Sequence, residues 1–162
     1  MHSNELYYMK KGSTLFLKGV IVLMGLAVLG ICTFALPRII GPIDMDGYDP
    51  ILLGMYITAV PFFIALYQAF LLLSYIDKNN AFSEGSVKVL KYIKYCAIAI
   101  SGFYLLGMPY IFNVADKDDA PGVVAIGLVI IFASFVIAVF AAVLQKILKN
   151  AIDIKSENDL TV

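Results

Sequence analysis

YIDKNNAFSEGSVKVLKYIKYCAI, residues 75–98, closes one apolar run, turns, and opens the next with lysines at 88, 91 and 94. Two readings of it decide the fold. Asp77-Lys78-Asn79-Asn80 is a polar turn between two stretches too apolar for water. From Val87 onward, Leu90, Ile93 and Ala97 recur at helical spacing while Lys88, Lys91 and Lys94 form a second stripe. The segment is therefore an amphipathic, interfacial helix that feeds directly into an apolar one. Ser83 precedes it as an N-cap, Glu84 sits in the favourable first turn, and Phe82 is placed to staple onto Val87.

Outward from this connection the chain is apolar. Its 162 residues are 61% hydrophobic with a mean hydropathy of +0.89, beyond the roughly 45–50% apolar share of a water-soluble domain. Four runs are long enough to cross about 30 Å of hydrocarbon: Thr14 to Leu36, Ile51 to Ile76, Tyr95 to Val114 and Pro121 to Leu144. The expectation is one all-α transmembrane domain over residues 1–162, a four-helix bundle of two hairpins joined by 77–94. The first run exceeds the roughly 7–15-residue core of a signal peptide, so it reads as a span and not as a leader. Ser13 is its expected N-cap, and Pro37 with Gly41-Pro42 its expected stop. Asp49-Pro50 reads as N-cap and first residue of the second span, and Pro121 opens the fourth. Pro61 and Pro109 fall inside spans two and three and free the carbonyls of Ile57 and Leu105, so kinks are expected there.

Formal net charge is zero, which leaves direct nucleic-acid binding without an electrostatic footprint. The charges are unevenly placed. Lys10, Lys11 and Lys18, then Lys78, Lys88, Lys91 and Lys94, then Lys146, Lys149 and Lys155 share one side, leaving only Arg38 and Lys117 of the twelve Lys and Arg on the other. By the positive-inside rule both termini of this multi-pass chain are cytosolic. Lys18 lies one turn inside the first span, where its stem can snorkel to the headgroups. Cys32 and Cys96 fall near opposite faces, roughly 20 Å apart and beyond disulfide reach.

No catalytic constellation can be assembled, since His2 is the one histidine and lies in a terminal segment. No acid lies at depth, which weighs against a proton-coupled pump. No cofactor is implied. Gln68, Gln145, Ser134 and Tyr104 are expected to make interhelical hydrogen bonds, each worth about 0.6–2 kcal/mol. Gly127, Ser134, Ala138, Ala141 and Gln145 share one side of span four, a small-residue seam suited to core packing or to a second copy in a homo-oligomer. Asp44, Asp46, Asp49, Asp116, Asp118 and Asp119 are weak candidates for a divalent cation. Asp44-Met45-Asp46-Gly47-Tyr48-Asp49 puts its glycine fourth instead of sixth and has no closing glutamate, so solvated loop acids are the plainer reading. Lys88, Lys91 and Lys94, with Tyr92 and Tyr95, suit an anchor to anionic membrane lipids at about 1 kcal/mol per lysine, or a dock for an acidic soluble partner. The two hairpins also repeat an order of features, from Lys18 and Lys94 to Ile76-Asp77 and Ile152-Asp153, which a duplication or common hairpin grammar explains equally.

The phrases TLFLKG (14–19), VPFFIALYQAFLLLSYIDKNNAFS (60–83), LKYIKYCAI (90–98) and KDDAPG (117–122) resemble the bacterial membrane-protein family called domain of unknown function 2975. The resemblance runs over nearly the whole chain, and the central phrase is its most specific part. It implies a four-span inner-membrane protein with no catalytic motif, often encoded beside a small Cro/CI-type helix-turn-helix regulator. The leading expectation is a non-enzymatic sensor or regulatory component coupled to such a partner. The alternative is a small transporter or channel subunit, with Pro61 and Pro109 breaking helices and Thr58, Gln68, Ser101 and Tyr104 lining a polar path. The charge pattern predicts that, without Cys32 and Cys96, a cysteine at Asn79 is labelled by a membrane-impermeant maleimide only from the cytosol, and one at Asp46 only from outside.

Overall fold

A computed structural model describes residues 2–161, which form four helices: α1 (His2–Ile39), α2 (Asp49–Asp77), α3 (Glu84–Lys117) and α4 (Pro121–Leu160). Each is long and apolar enough to cross a membrane. No strand occurs among the described residues, so the all-α, four-span expectation holds. The helices outrun their apolar cores. At about 1.5 Å per residue, the 40 residues of α4 reach roughly 60 Å, twice the hydrocarbon thickness.

Helix ends are where the sequence reading needs correction. α1 starts at His2 and not after a Ser13 cap. Nothing in residues 2–13 breaks a helix, Glu5 favours the first turn, and one glycine, Gly12, costs only about 1 kcal/mol. Pro37 does not stop α1, which runs on to Ile39; a proline in the last turn removes a single bond, and the break falls at Gly41-Pro42. α2 begins at Asp49, one residue earlier than a capping Asp49 requires, with Tyr48 before it and no side-chain cap. The Asp49 carboxylate instead accepts a bond from the Asp44 amide at 2.8 Å. Pro61 and Pro109 both sit within uninterrupted helices.

Ser83 does cap α3, its hydroxyl accepting from the Ser86 amide at 3.3 Å. Phe82 stays 62% exposed, so the expected staple onto Val87 does not bury the ring. α2 and α3 end in the same way. Among the described residues, Asn79 (φ 55°) and Asp119 (φ 49°) are the positive-φ residues other than glycine. Each lies just past its C-cap. The following amides, Asn80 and Ala120, donate back to the carbonyls of Tyr75 and Ala115 at 2.8 and 2.9 Å. This is the Schellman closure, with Asn and Asp taking the position glycine usually fills.

The bundle is open. α1 packs on α2, α2 on α3, and α3 on α4, and no other pair of helices meets among the described residues. Each interface contains a glycine against a large side chain. A Cβ on Gly25 would meet Leu66 at 3.5 Å, one on Gly54 would meet Phe103 at 3.2 Å, and one on Gly127 would meet Met108 at 3.2 Å. Close backbone approach suits helices in lipid, where hydrophobic burial gives little drive between them. α3, between α2 and α4, holds most of the buried residues, including Val87, Val89, Leu90, Ala97, Met108 and Ile111. The seam on α4 is core packing, since Gly127, Ala138 and Ala141 are buried.

Gly85, in the first turn of α3, abuts Tyr75 at the end of α2: a Cβ there would lie 2.9 Å from the phenol oxygen and 3.0 Å from Cζ. Gly102, by contrast, has open space around it. Gly85→Val is expected to destabilise the protein by about 1–3 kcal/mol, as overpacking does, seen as a lower unfolding midpoint in detergent. Gly102→Ala should leave the midpoint unchanged or raise it.

Candidate functional site

On the face that carries most lysines, α1 and α2 are fastened by a polar clasp. Lys18 pairs with Asp77, and Thr14, buried, donates to the same carboxylate. Lys10 donates to the Asn79 side chain at 2.7 Å. Lys18 therefore does not simply extend to the headgroups; its ammonium also lies 5.3 Å from the centre of the Phe70 ring, a cation–π distance. A lysine one turn inside a span needs a counterion, and Asp77 is the acid at the matching end of α2. Asn79 has a second reason to occupy its left-handed position, since glycine offers Lys10 no acceptor.

The basic stripe of α3 stands beside this clasp. Val87, Val89 and Leu90 are buried and Ser86 is fully so, while Lys88 and Lys91 are exposed. The apolar stripe expected from the sequence thus faces inward, and Lys88 and Lys91 lie on the exposed part of the same helix. Lys94 behaves differently from the other two. It donates to Gln145 Oε1 on α4 at 3.2 Å and sits 5.0 Å from the centre of the Tyr95 ring. Tyr92 and Tyr95 are 48% and 54% exposed. The free basic surface is therefore Lys88 and Lys91 with the two tyrosines, and Lys94 is shared with the α3–α4 interface. Lys94 occupies the place in the second hairpin that Lys18 has in the first, yet its partner is Gln145 and not Asp153, which is exposed.

At the opposite, acidic face, the loop 40–48 is tied to α3 by the Tyr110 hydroxyl, 2.8 Å from the carbonyl oxygens of both Met45 and Gly47. Asp49 is buried, and its Oδ1 lies 3.7 Å from Arg38 Nε. Partial desolvation, and then the neighbouring Asp118 carboxylate, hold the Tyr48 phenol above its ordinary range. A cavity of about 320 Å³ opens here between Arg38, Asp44, Asp46, Tyr48, Lys117 and Asp118. Among the described residues no group of three or more acids, cysteines or histidines converges to hold a metal.

Of the polar residues at depth, Thr58 bonds to its own helix at the Gly54 carbonyl, 3.0 Å, and lies 3.4 Å from the Tyr104 hydroxyl on α3. Ser101 donates to the Ile131 carbonyl on α4 at 3.3 Å, and Tyr56 to that of Cys32 on α1. Gln68 and Ser134 make no side-chain hydrogen bond among the described residues; both are half-buried. Gln68 lies two turns from Tyr75 on the side of α2 that meets α3. Thr14, Asp77 and Tyr56 were not singled out by sequence, since their partners lie 63, 59 and 24 residues away.

The clasp predicts strong coupling between its members. Asp77→Leu and Lys18→Met are each expected to lower stability in detergent, because each leaves the other charge without its partner at an apolar boundary. The double variant should lose less than the two losses combined, and a double-mutant cycle measures the difference.

Comparison with known proteins identifies the chain's relatives. A family described as "Protein of unknown function (DUF2975)" matches residues 40–162. The chain is 58% identical over 160 residues, 95% of its own length and 100% of the relative's, to a protein of Bacillus subtilis (strain 168) described as "Uncharacterized membrane protein YoaS". No solved structure matches it. The family match starts one residue beyond α1, whereas the Bacillus relative covers nearly all of the chain. With four apolar helices and these relatives, the chain is a membrane protein and belongs to the DUF2975 family.

Proposed function

We propose that this protein is a non-enzymatic regulatory component of the bacterial inner membrane, with both termini in the cytosol, whose basic face receives a small soluble helix-turn-helix regulator. One observation carries the reading: α3 runs without a break from Glu84 to Lys117. Its basic start therefore projects along the axis of the third span and does not lie flat on the lipid. Lys88 precedes Tyr95 by seven residues, or roughly 10 Å along the helix, more than the roughly 5–8 Å of headgroup on each side of the hydrocarbon. Lys88 thus stands where a soluble partner reaches it.

The burial of Val87, Val89 and Leu90 at this level supports the same reading. Outside hydrocarbon, burying apolar side chains stabilises packing at about 25 cal/mol per Å², so the projecting part of α3 is a rigid platform. Lys88 and Lys91 present positive charge from it, which complements an acidic surface. Support for the helix-turn-helix identity of the partner comes from the family resemblance alone, as analogy. The transporter alternative gains nothing from the geometry. Four helices in an open row enclose no lumen, and the hydroxyls of Thr58 and Ser101 are engaged with backbone carbonyls.

The test is co-purification of the full-length protein, in mild detergent, with the regulator encoded beside its gene. Wild type is expected to retain the regulator, and K88E/K91E to retain at least tenfold less, with salt weakening the wild-type complex. Failure of wild type to retain it, or equal retention by the reversed variant, overturns the proposal. So does a reversal that lowers binding only to anionic vesicles, which assigns the stripe to lipid.

A further inference from the structure

Two adjoining features at the acidic end of α1 share one residue. The first is an open apolar groove of about 690 Å³ on the membrane-facing side of α1 and α2, lined by Ala27, Gly30, Ile31, Phe34, Ala35 and Leu52 and closed at its outer end by Arg38. The second is the polar cavity of about 320 Å³ described above, which Arg38 also borders. We infer that together they hold one glycerophospholipid with an amine-bearing headgroup, of the phosphatidylethanolamine class, drawn from the leaflet on the acidic side.

Length, charge and shape each support this occupant. From Arg38 to Ala27 is eleven residues, about 16 Å along a helix, which matches the roughly 15 Å depth of one leaflet's hydrocarbon. An acyl chain lying in the groove ends where the leaflet ends. The Arg38 side chain is 73% exposed, and its one ion pair, through Nε to Asp49 at 3.7 Å, is beyond hydrogen-bond distance. It donates no hydrogen bond among the described residues. Its planar fork of donors is therefore free at the level of the headgroup phosphate, the anion whose geometry it fits.

Beyond Arg38 the cavity turns acidic. Asp44, Asp46 and Asp118 are exposed around it, with Lys117 on its rim. An anion alone meets repulsion from four carboxylates, since the buried Asp49 lines the cavity as well. A phosphate followed by a primary ammonium meets a cation and then its acceptors, in the order in which the headgroup carries its charges. The groove also has room to spare, since a Cβ on Gly30 would meet nothing within 4 Å. The site lies on the face opposite the basic platform and does not depend on the regulatory reading.

The chain contains no tryptophan, so one can be introduced as a local probe. Phe34→Trp places it in the groove. Ile126→Trp, at a comparable depth on the exposed side of α4, is the reference. Both full-length variants are reconstituted in phosphatidylcholine vesicles containing one tenth of brominated-chain phosphatidylethanolamine, phosphatidylglycerol or phosphatidylcholine. At Phe34→Trp, the ethanolamine lipid is expected to quench at least twice as strongly as the other two, while Ile126→Trp is quenched alike by all three. Adding Arg38→Gln should remove the preference. Adding Gly30→Leu, whose Cβ meets nothing within 4 Å and whose side chain occupies groove space, should lower quenching at Phe34→Trp by every brominated lipid. Equal quenching by the three lipids at Phe34→Trp means annular lipid only and overturns the inference. Preference for phosphatidylglycerol overturns the headgroup assignment. Quenching by none overturns it in favour of a second copy covering the groove.

Discussion

Hydrocarbon gives helices almost no reason to bury leucine against leucine, and that constraint shapes every contact in this protein. Each interface instead contains a glycine that lets a neighbouring side chain approach closely: Gly25 receives Leu66, Gly54 receives Phe103 and Gly127 receives Met108. Polar groups add direction at the ends of the helices. Lys18 and Thr14 converge on Asp77 between α1 and α2, and Lys94 reaches Gln145 between α3 and α4. Where the helices leave the lipid, the rule changes and ordinary burial resumes, as at Val87, Val89 and Leu90.

The two faces of the molecule are consequently built differently. The basic face is stiff, because the N-terminal part of α3 is capped by Ser83, seated against Tyr75 through Gly85, and continuous with its own span. The acidic face is a loop folded over the ends of α1 and α3. It is held by the Tyr110 hydroxyl on two carbonyls and by Asp49, whose carboxylate accepts the Asp44 amide. The cavity there is bounded by charges of both signs, Arg38 and Lys117 among the aspartates.

Much of this is legible in the sequence, for reasons particular to lipid. A span must carry about 20 apolar residues, so four of them announce themselves, and the period of Val87, Leu90 and Ala97 against Lys88 and Lys91 fixes which side of α3 faces inward. Ends are less legible. The polar residues before Thr14 are read as a tail, although nothing among them prevents a helix, and Pro37 is read as a stop although α1 tolerates it in its last turn. Partners are least legible of all. Lys18 is visible as an oddity, but its partner Asp77 depends on how α1 docks on α2, and the same holds for Lys94 and Gln145. Thr14 and Tyr56 gave no signal, because a hydroxyl near a span end acquires meaning only when another helix is set beside it.

An open row of helices behaves as a one-dimensional array in which each member couples only to its nearest neighbours. Removing an inner member severs two interfaces, whereas removing a terminal one severs a single interface and leaves the remainder with its own contacts. α1 is such a terminal member, joined to the others by Gly25, the Lys18 clasp and the Tyr56 bond. The family match begins at residue 40, where α1 has just ended, while the Bacillus relative matches α1 as well. Disturbing α1 therefore costs the array a single interface, and α2, α3 and α4 keep the contacts they make with one another.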